Sequence, residues 1–236
     1  MKTNLNNYFG ITSKIIFSLL AITLIFSSCK KDWNNSDPIE AAGVGFVHAS
    51  PGAGALDFIV DNSRVNGKIF TYTNDMGYFA AYPGSRLIGV TKRDSLKYLT
   101  TTNAAFKSGK FYSVFVVDTL KKNSILVLED DLKAPETDKA KVRFINLSPD
   151  APALDLAIQG QPALFATKAF KEFTSFVSVT PSDNYTFEVK ESANPTVKTT
   201  LEGVKIEKGK IYTIWAKGLK SKTDSTKFGL KVMSNN

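Results

Sequence analysis

One stretch of this chain is written twice. Val44-Gly45-Phe46-Val47-His48-Ala49-Ser50-Pro51-Gly52-Ala53-Gly54-Ala55-Leu56-Asp57 aligns without a gap on Val142-Arg143-Phe144-Ile145-Asn146-Leu147-Ser148-Pro149-Asp150-Ala151-Pro152-Ala153-Leu154-Asp155, 98 positions later. Near the other end of each copy, Gly109-Lys110-Phe111-Tyr112-Ser113-Val114-Phe115 answers Gly209-Lys210-Ile211-Tyr212-Thr213-Ile214-Trp215, at an offset of 100. Tyr82-Pro83-Gly84 and Thr180-Pro181-Ser182 hold the middle of each copy. Markers at opposite ends that drift by only two positions mean a duplicated domain rather than coincidence. Whatever this chain folds into, it folds into it twice.

Inside each copy the pattern is that of strands. Apolar residues alternate with others at period two in 44–48 and 142–146, the signature of a half-buried strand. Ser-Pro then ends the strand, because proline has no N–H for a ladder. Further strands are expected at 56–60, 78–82, 87–91, 98–102, 111–117 and 125–129 in the first copy. The second should have them at 154–158, 175–179, 185–190, 199–206, 211–217 and 228–232. Asp61-Asn62 and Gln159-Gly160 are turn chemistry. Seventeen Phe and eight Tyr favour strands in the same way. No long segment has helical periodicity. About eight short strands per copy suit an antiparallel β-sandwich. The expected fold class is therefore all-β: two tandem sandwich domains, at 43–132 and 141–236, joined by a linker at 133–140. Each is expected to fold alone, with Trp215 in its core.

The N-terminus carries a different signal. Residues 1–14 are polar with Lys2 and Lys14, and residues 15–26 are an uncharged apolar run. Such a run is too short to span a bilayer and fits the apolar region of a signal peptide. Ser27-Ser28-Cys29 follows. An apolar residue, two small residues and cysteine resemble the lipobox of bacterial lipoproteins. That resemblance implies cleavage after residue 28 and diacylglycerol on the Cys29 thiol. Phe26 departs from the usual Leu at the third position before the cysteine. Residues 29–42, starting Cys29-Lys30-Lys31-Asp32, are polar and read as a tether. They look like the lipoproteins of the Bacteroidetes, which implies an outer-membrane location, facing the periplasm or the surface. Cys29 is the only cysteine, so no internal disulfide can form.

Residues 142–156 also resemble the opening of a bacterial family of domains of unknown function, with the pattern V-R-F-[VI]-[HN]-x-S-P-D-A-P-x-[VL]-D. Gly209-Lys210-Ile211-Tyr212-Thr213 fits that family's later G-x-x-Y-T strand. The first copy departs from the pattern at Gly45, Gly52 and Gly54, which replace Arg, Asp and Pro. The resemblance implies immunoglobulin-like sandwiches, often in tandem, in the cell envelope, and implies no established activity.

Candidate chemistry is thin. His48, Ser50 and Asp57 invite a hydrolase triad, but a triad needs a base, and the counterpart of His48 is Asn146. No catalytic residue is assigned and no cofactor is called for. One Cys and one His cannot build a thiolate–imidazole metal site, and no D-x-D-x-D run offers a calcium loop, so no metal is assigned. Ser50, Pro51, Asp57, Ser148, Pro149, Asp150 and Asp155 read as structural turn residues, with Asp57 and Asp155 clamping freed N–H groups. Tyr82, before Pro83-Gly84, is the aromatic best placed for ligand contact, ahead of Tyr78, Phe79 and Trp215. The excess lysines are scattered and Arg143 is the only arginine of the second copy, which argues against nucleic acid as a partner. The expected partners are the membrane, through the lipid, and a glycan or envelope protein. The function expected is a non-catalytic binding or spacer module. The alternative is a carbohydrate-binding accessory of a polysaccharide uptake system.

Overall fold

Sixteen strands, eight from each copy, build four four-stranded sheets in a computed structural model that describes residues 41–235. The signal segment, Cys29 and the tether lie outside the described residues. In the first copy β1 (Ala42–His48), β4 (Asp75–Ala81), β7 (Phe111–Val117) and β8 (Ser124–Asp130) form one sheet, ordered β4-β1-β7-β8. The other sheet, β3-β2-β5-β6, uses β2 (Leu56–Val60), β3 (Ser63–Arg64), β5 (Gly84–Lys92) and β6 (Tyr98–Phe106). The second copy repeats both orders. Its sheets are β12-β9-β15-β16 and β11-β10-β13-β14, from β9 (Ala140–Asn146), β10 (Leu154–Ile158), β11 (Ala163–Lys168), β12 (Val177–Val179), β13 (Ser182–Glu191), β14 (Asn194–Ile206), β15 (Ile211–Lys217) and β16 (Gly229–Ser234).

One pair in each sandwich breaks the antiparallel rule. β1 runs parallel to β7, and β9 parallel to β15. The two short strands β3 and β11 lie outside the expected segments. Both are edge strands: β3 is two exposed polar residues, and β11, though it buries Phe165, lacks strict period-two alternation.

Each sandwich closes around its own core. Val44, Phe46, Val114 and Val116 face Leu56, Phe58, Ile88 and Val90 in the first. Val142, Phe144, Ile214 and Ala216 face Leu154, Leu156, Phe187 and Val189 in the second. The alternate residues of β1, β7, β9 and β15 are not exposed. Val47, Phe115 and Val117 pack with Ile145, Leu147 and Trp215 in a third cluster, which joins the two sandwiches. The central strands β1, β7, β9 and β15 are thus covered on both faces over most of their length, and the described residues form one compact unit. That explains why Phe111–Val117 reads as an almost continuous apolar run, as strands covered on both sides do. Trp215 is buried, but between the domains rather than inside one.

At one edge of this contact lies a ring of buried polar side chains. Arg143 Nη1 stands 2.6 Å from Asp130 Oδ1, across the domain boundary, and both side chains are buried. Arg143 Nε donates to Thr213 Oγ1 (2.8 Å), whose hydroxyl donates to Asn235 Oδ1 (2.6 Å). Asn235 Nδ2 donates to the Tyr78 hydroxyl (2.8 Å), which donates back to Asp130 Oδ2 (2.6 Å). Ser113 also donates to Asp130 Oδ2 (2.7 Å), and the guanidinium lies 4.6 Å from the centre of the Phe176 ring. The strand registers make Gly45 the equivalent of Arg143, Tyr78 of Phe176 and Ser113 of Thr213. Asp130 likewise answers Asn235, each lying opposite the first residue of β7 or β15. The two copies thus meet about a local pseudo-two-fold axis, and only one of them supplies an arginine. At Gly45 a Cβ would stand 3.1 Å from the Met76 carbonyl oxygen, a tight approach, and Asn235 in place of Asp130 offers a second arginine no carboxylate there.

The shared cluster covers apolar faces that each sandwich would expose if it stood alone. Fragments 39–134 and 138–236, expressed apart, should expose the Phe115 and Trp215 surfaces and self-associate or melt broadly. Arg143→Ala leaves the Asp130 carboxylate buried and unpaired, and should cost about 3–5 kcal/mol in urea unfolding. Arg143→Met combined with Asp130→Leu should recover most of that loss. A wild-type midpoint for the single variant would show that the pair is not coupled to folding.

Candidate functional site

The repeated Ser-Pro motif is where the sequence concentrates its polar side chains, and the structure shows what each one does. His48 ends β1 fully buried. Its Nε2 lies 2.8 Å from the Gly54 carbonyl, and its Nδ1 accepts the Ser50 N–H at 3.4 Å. This requires the neutral ring with the proton on Nε2. In the second copy Asn146 Nδ2 donates to the Pro152 carbonyl (3.3 Å) and to the Lys168 carbonyl (2.9 Å), and its Oδ1 accepts the Ser148 N–H (3.1 Å). Histidine and asparagine therefore do one job: each accepts from the residue two ahead and donates to the carbonyl six ahead.

The serines fasten the same turn from the other side. Ser50 Oγ donates to the Asp118 carbonyl at 2.5 Å, and Ser148 Oγ to the Gly218 carbonyl at 2.8 Å. Asp118 and Gly218 both follow the parallel partner strand, and both have positive φ, 68° and 77°. A Cβ at Gly218 would meet the Lys227 carbonyl oxygen at 2.2 Å, which makes glycine obligatory there. Asp150 accepts the N–H groups of Lys220 (2.8 Å) and Ser221 (3.0 Å). Burial raises its pKa, yet these donors outweigh that and hold the carboxyl below the usual range.

Asp57 and Asp155 lie on the second strand of each copy. Asp57 is only 3% exposed. It accepts the Asp94 N–H (2.9 Å), Asn66 Nδ2 (3.1 Å) and Arg93 Nη1 (3.2 Å), with Arg64 Nη1 at 3.5 Å. Burial pushes its carboxyl up, but the Asp94 N–H, Asn66 and the two arginines more than offset this and hold it below the ordinary value. Asp155 accepts the Thr167 N–H (2.7 Å) and the Ser192 hydroxyl. Asn66, Arg64 and Arg93 escaped the sequence reading, since nothing in their spacing ties them to Asp57. Asn66 is as central as the aspartate: buried, it also accepts the Phe58 N–H at 2.7 Å and donates to the Leu56 carbonyl.

His48, Ser50 and Asp57 do not assemble a relay. The histidine faces a carbonyl and a backbone N–H, the serine donates to another carbonyl, and the aspartate is bound by arginines and Asn66. Among the described residues no group of three or more His, Cys, Asp or Glu gathers around a common point. Of the aromatics, Phe79 stacks on Phe46 in the core (5.6 Å between ring centres) and Tyr78 belongs to the interdomain ring. Tyr82 is the most exposed, at 72%, at the tip between β4 and β5. Because Ala81 pairs with Ala42, that tip lies at the end where the chain enters β1, opposite the Ser-Pro turns.

Fold and signature together define a tandem β-sandwich protein whose repeated motif is a structural fastening. Residues 42–157 match a family described as a domain of unknown function (DUF4397). The match opens at the first residue of β1 and ends inside β10, just under half of the chain. It takes in the first copy, whose motif is the more divergent, and the Ser-Pro turn of the second. No curated protein matches the chain. Solved structures that match include the carbohydrate-binding module CBMbc (family CBM26) of Eubacterium rectale Amy13K in complex with maltoheptaose. Its identity is 9% and its TM-score 0.27, over 82% of this chain and 97% of that one. A likeness at that level says nothing about a ligand here.

Two measurements check the fastening. Burial pushes the His48 imidazole down to about 4, partly opposed by its bond to Gly54. The folded state therefore binds fewer protons than the unfolded chain between the ordinary pKa of 6.5 and about 4. Stability is complete above that window and falls as the pH drops through it, by up to roughly 3 kcal/mol. His48→Asn should fold and flatten this slope, since Asn146 already fills the role; an unchanged slope would place the titration elsewhere. Asp57→Ala should cost about 1–3 kcal/mol in thermal or urea unfolding, more than Asp155→Ala, because it strands more buried donors. Added Ca²⁺ should leave the melting temperature of the wild type unchanged, and a stabilisation that Asp57→Ala or Asp155→Ala abolishes would make the turn a metal site.

Proposed function

We propose that this protein is a non-catalytic binding module carried by a lipid anchor on the outer membrane of a bacterial envelope. One observation supports it above the rest. His48, Ser50, Asn146, Ser148 and Asp150 of the repeated signature are spent on holding the Ser-Pro turns, so this part of the motif serves architecture and leaves recognition to the loops around it. β1 and β7 run parallel from the end where the chain enters, and so do β9 and β15. The hairpin tips after β7 and β15 thus share the end opposite the start of β1. A glycan or an envelope protein is the partner class that such a placement serves. A sugar-stacking accessory role rests on Tyr82, which lies at the end where β1 starts, away from these tips.

The anchor is checked by intact mass. The mature chain should begin at Cys29 and carry the mass of the acyl chains, and it should sediment with outer-membrane vesicles. A water-soluble product retaining Met1 or beginning at Ser27 would refute the anchor.

A further inference from the structure

The hairpin tips that end β7 and β15 come together over one cleft of about 510 Å³ on the side away from the start of β1. Its floor is apolar: Pro51 is buried, and Leu120 and Leu219, one from each sandwich, are half-buried. Its rim is cationic, with the exposed Lys121 and Lys122 from the first sandwich and Lys222 from the second. Lys222 also borders a second hollow of about 420 Å³, shared with Lys227 and Phe228, so the two depressions run on from one another. Among the described residues, none of Lys121, Lys122, Lys222 and Lys227 has a carboxylate within ion-pair distance. Lys198 and Lys220, beside them, are already held by Glu191. The carboxylate in the cleft is Asp224, whose Oδ1 is taken up by the Thr226 N–H (2.8 Å) and hydroxyl (2.6 Å). Behind this rim Lys217 is half-buried, and burial, then the charges of Lys227 and Lys231, lower its pKa, while Asp224 faces Lys222 across the cleft. Asp75 lies near Lys231 and offsets it in part.

Resting on the reading of this chain as a binding module, the geometry points to this cleft as the site for an acidic glycan, a chain carrying carboxylate or sulfate groups. Lysine rims fit such a ligand because flexible ammonium groups meet charges spaced along a polymer without demanding a fixed fork geometry. The apolar floor suits the C–H faces of sugar rings lying between those charges. Nucleic acid would call for aromatics to stack its bases, and no aromatic lines this cleft. The site exists only in the paired sandwiches. Neither copy alone brings Leu120 against Leu219 or supplies all three rim lysines.

The test uses the full mature protein in detergent, with polygalacturonate and dextran sulfate as probes, neutral dextran as the control polymer and duplex DNA as the competing class. Binding to one of the acidic polymers should weaken with salt. It should fall at least about tenfold in Lys121→Glu/Lys122→Glu/Lys222→Glu, whose melting temperature should match the wild type. Lys205→Glu/Lys208→Glu, at the opposite end, should bind as the wild type does. An acidic polymer bound equally by the rim variant, or lost equally in the control variant, would overturn the site while leaving the module reading intact. DNA bound more tightly than either glycan would overturn the ligand class. A protein that retains no glycan of either charge and captures no envelope protein would remove the module reading itself.

Discussion

Four strands of this protein, β1, β7, β9 and β15, have no solvent-facing side, and most of the structure follows from that. A sandwich normally hides one face of each sheet. Here the second face of one sheet in each copy is hidden against its twin, so Phe115, Val47, Ile145 and Trp215 form a core that belongs to neither domain. Burial on that scale leaves polar groups at the edge of the contact without water. The ring through Arg143, Thr213, Asn235, Tyr78 and Asp130 supplies their partners. Such a ring is an advantage only when closed, since each member would otherwise be an unsatisfied buried group. Its asymmetry also sets the composition of the two copies: the arginine is needed once, and glycine at 45 is what makes room for Tyr78 and the neighbouring Met76 backbone.

The repeated motif is best understood as a joint. His48 and Asn146 differ in charge chemistry and size, yet both bridge a backbone N–H and a carbonyl at the same separations along the chain. Two serines reach across to the carbonyl that follows the parallel strand. The joint therefore ties the first strand's end to the partner strand's end, and fixes where the β7–β8 and β15–β16 tips stand.

Much of this was legible in the sequence. The repeat, the strand positions and the all-β class could be read from period-two alternation, from Ser-Pro and from the paired glycines. Turn chemistry pointed to Asp57 and Asp155 as acceptors for N–H groups freed by the Ser-Pro turns, whereas the N–H groups they accept belong to Asp94 and Thr167. The interface did not follow, although two residues announced it. Phe111–Val117 is too uniformly apolar for a strand with a wet face, and Gly45 against Arg143 is a mismatch that only a contact between copies explains. Their meaning depends on which sheets meet, and that is a property of the assembled pair. Asn66, Arg64 and Arg93 were silent for a similar reason: their partner Asp57 is fixed by sheet register, not by spacing. The excess lysines read as scattered, because nothing in one dimension shows that two of the turns carrying them overlook the same hollow.

The parallel pairing of β1 with β7 has a mechanical consequence. Tension applied at Ala42 along the axis of β1 loads its hydrogen bonds to β4 and β7 in shear, so that they must yield together. Had the pull run across the strand, the same bonds would open one after another under a much smaller load. A chain held at its N-terminus and gripped at the opposite end is pulled in the direction in which its first strand resists best. Because β1 also contributes Val47 to the contact between sandwiches, extracting it would dismantle both halves at once. Under flow or traction the protein should behave as a single stiff link rather than as two beads that give way in turn.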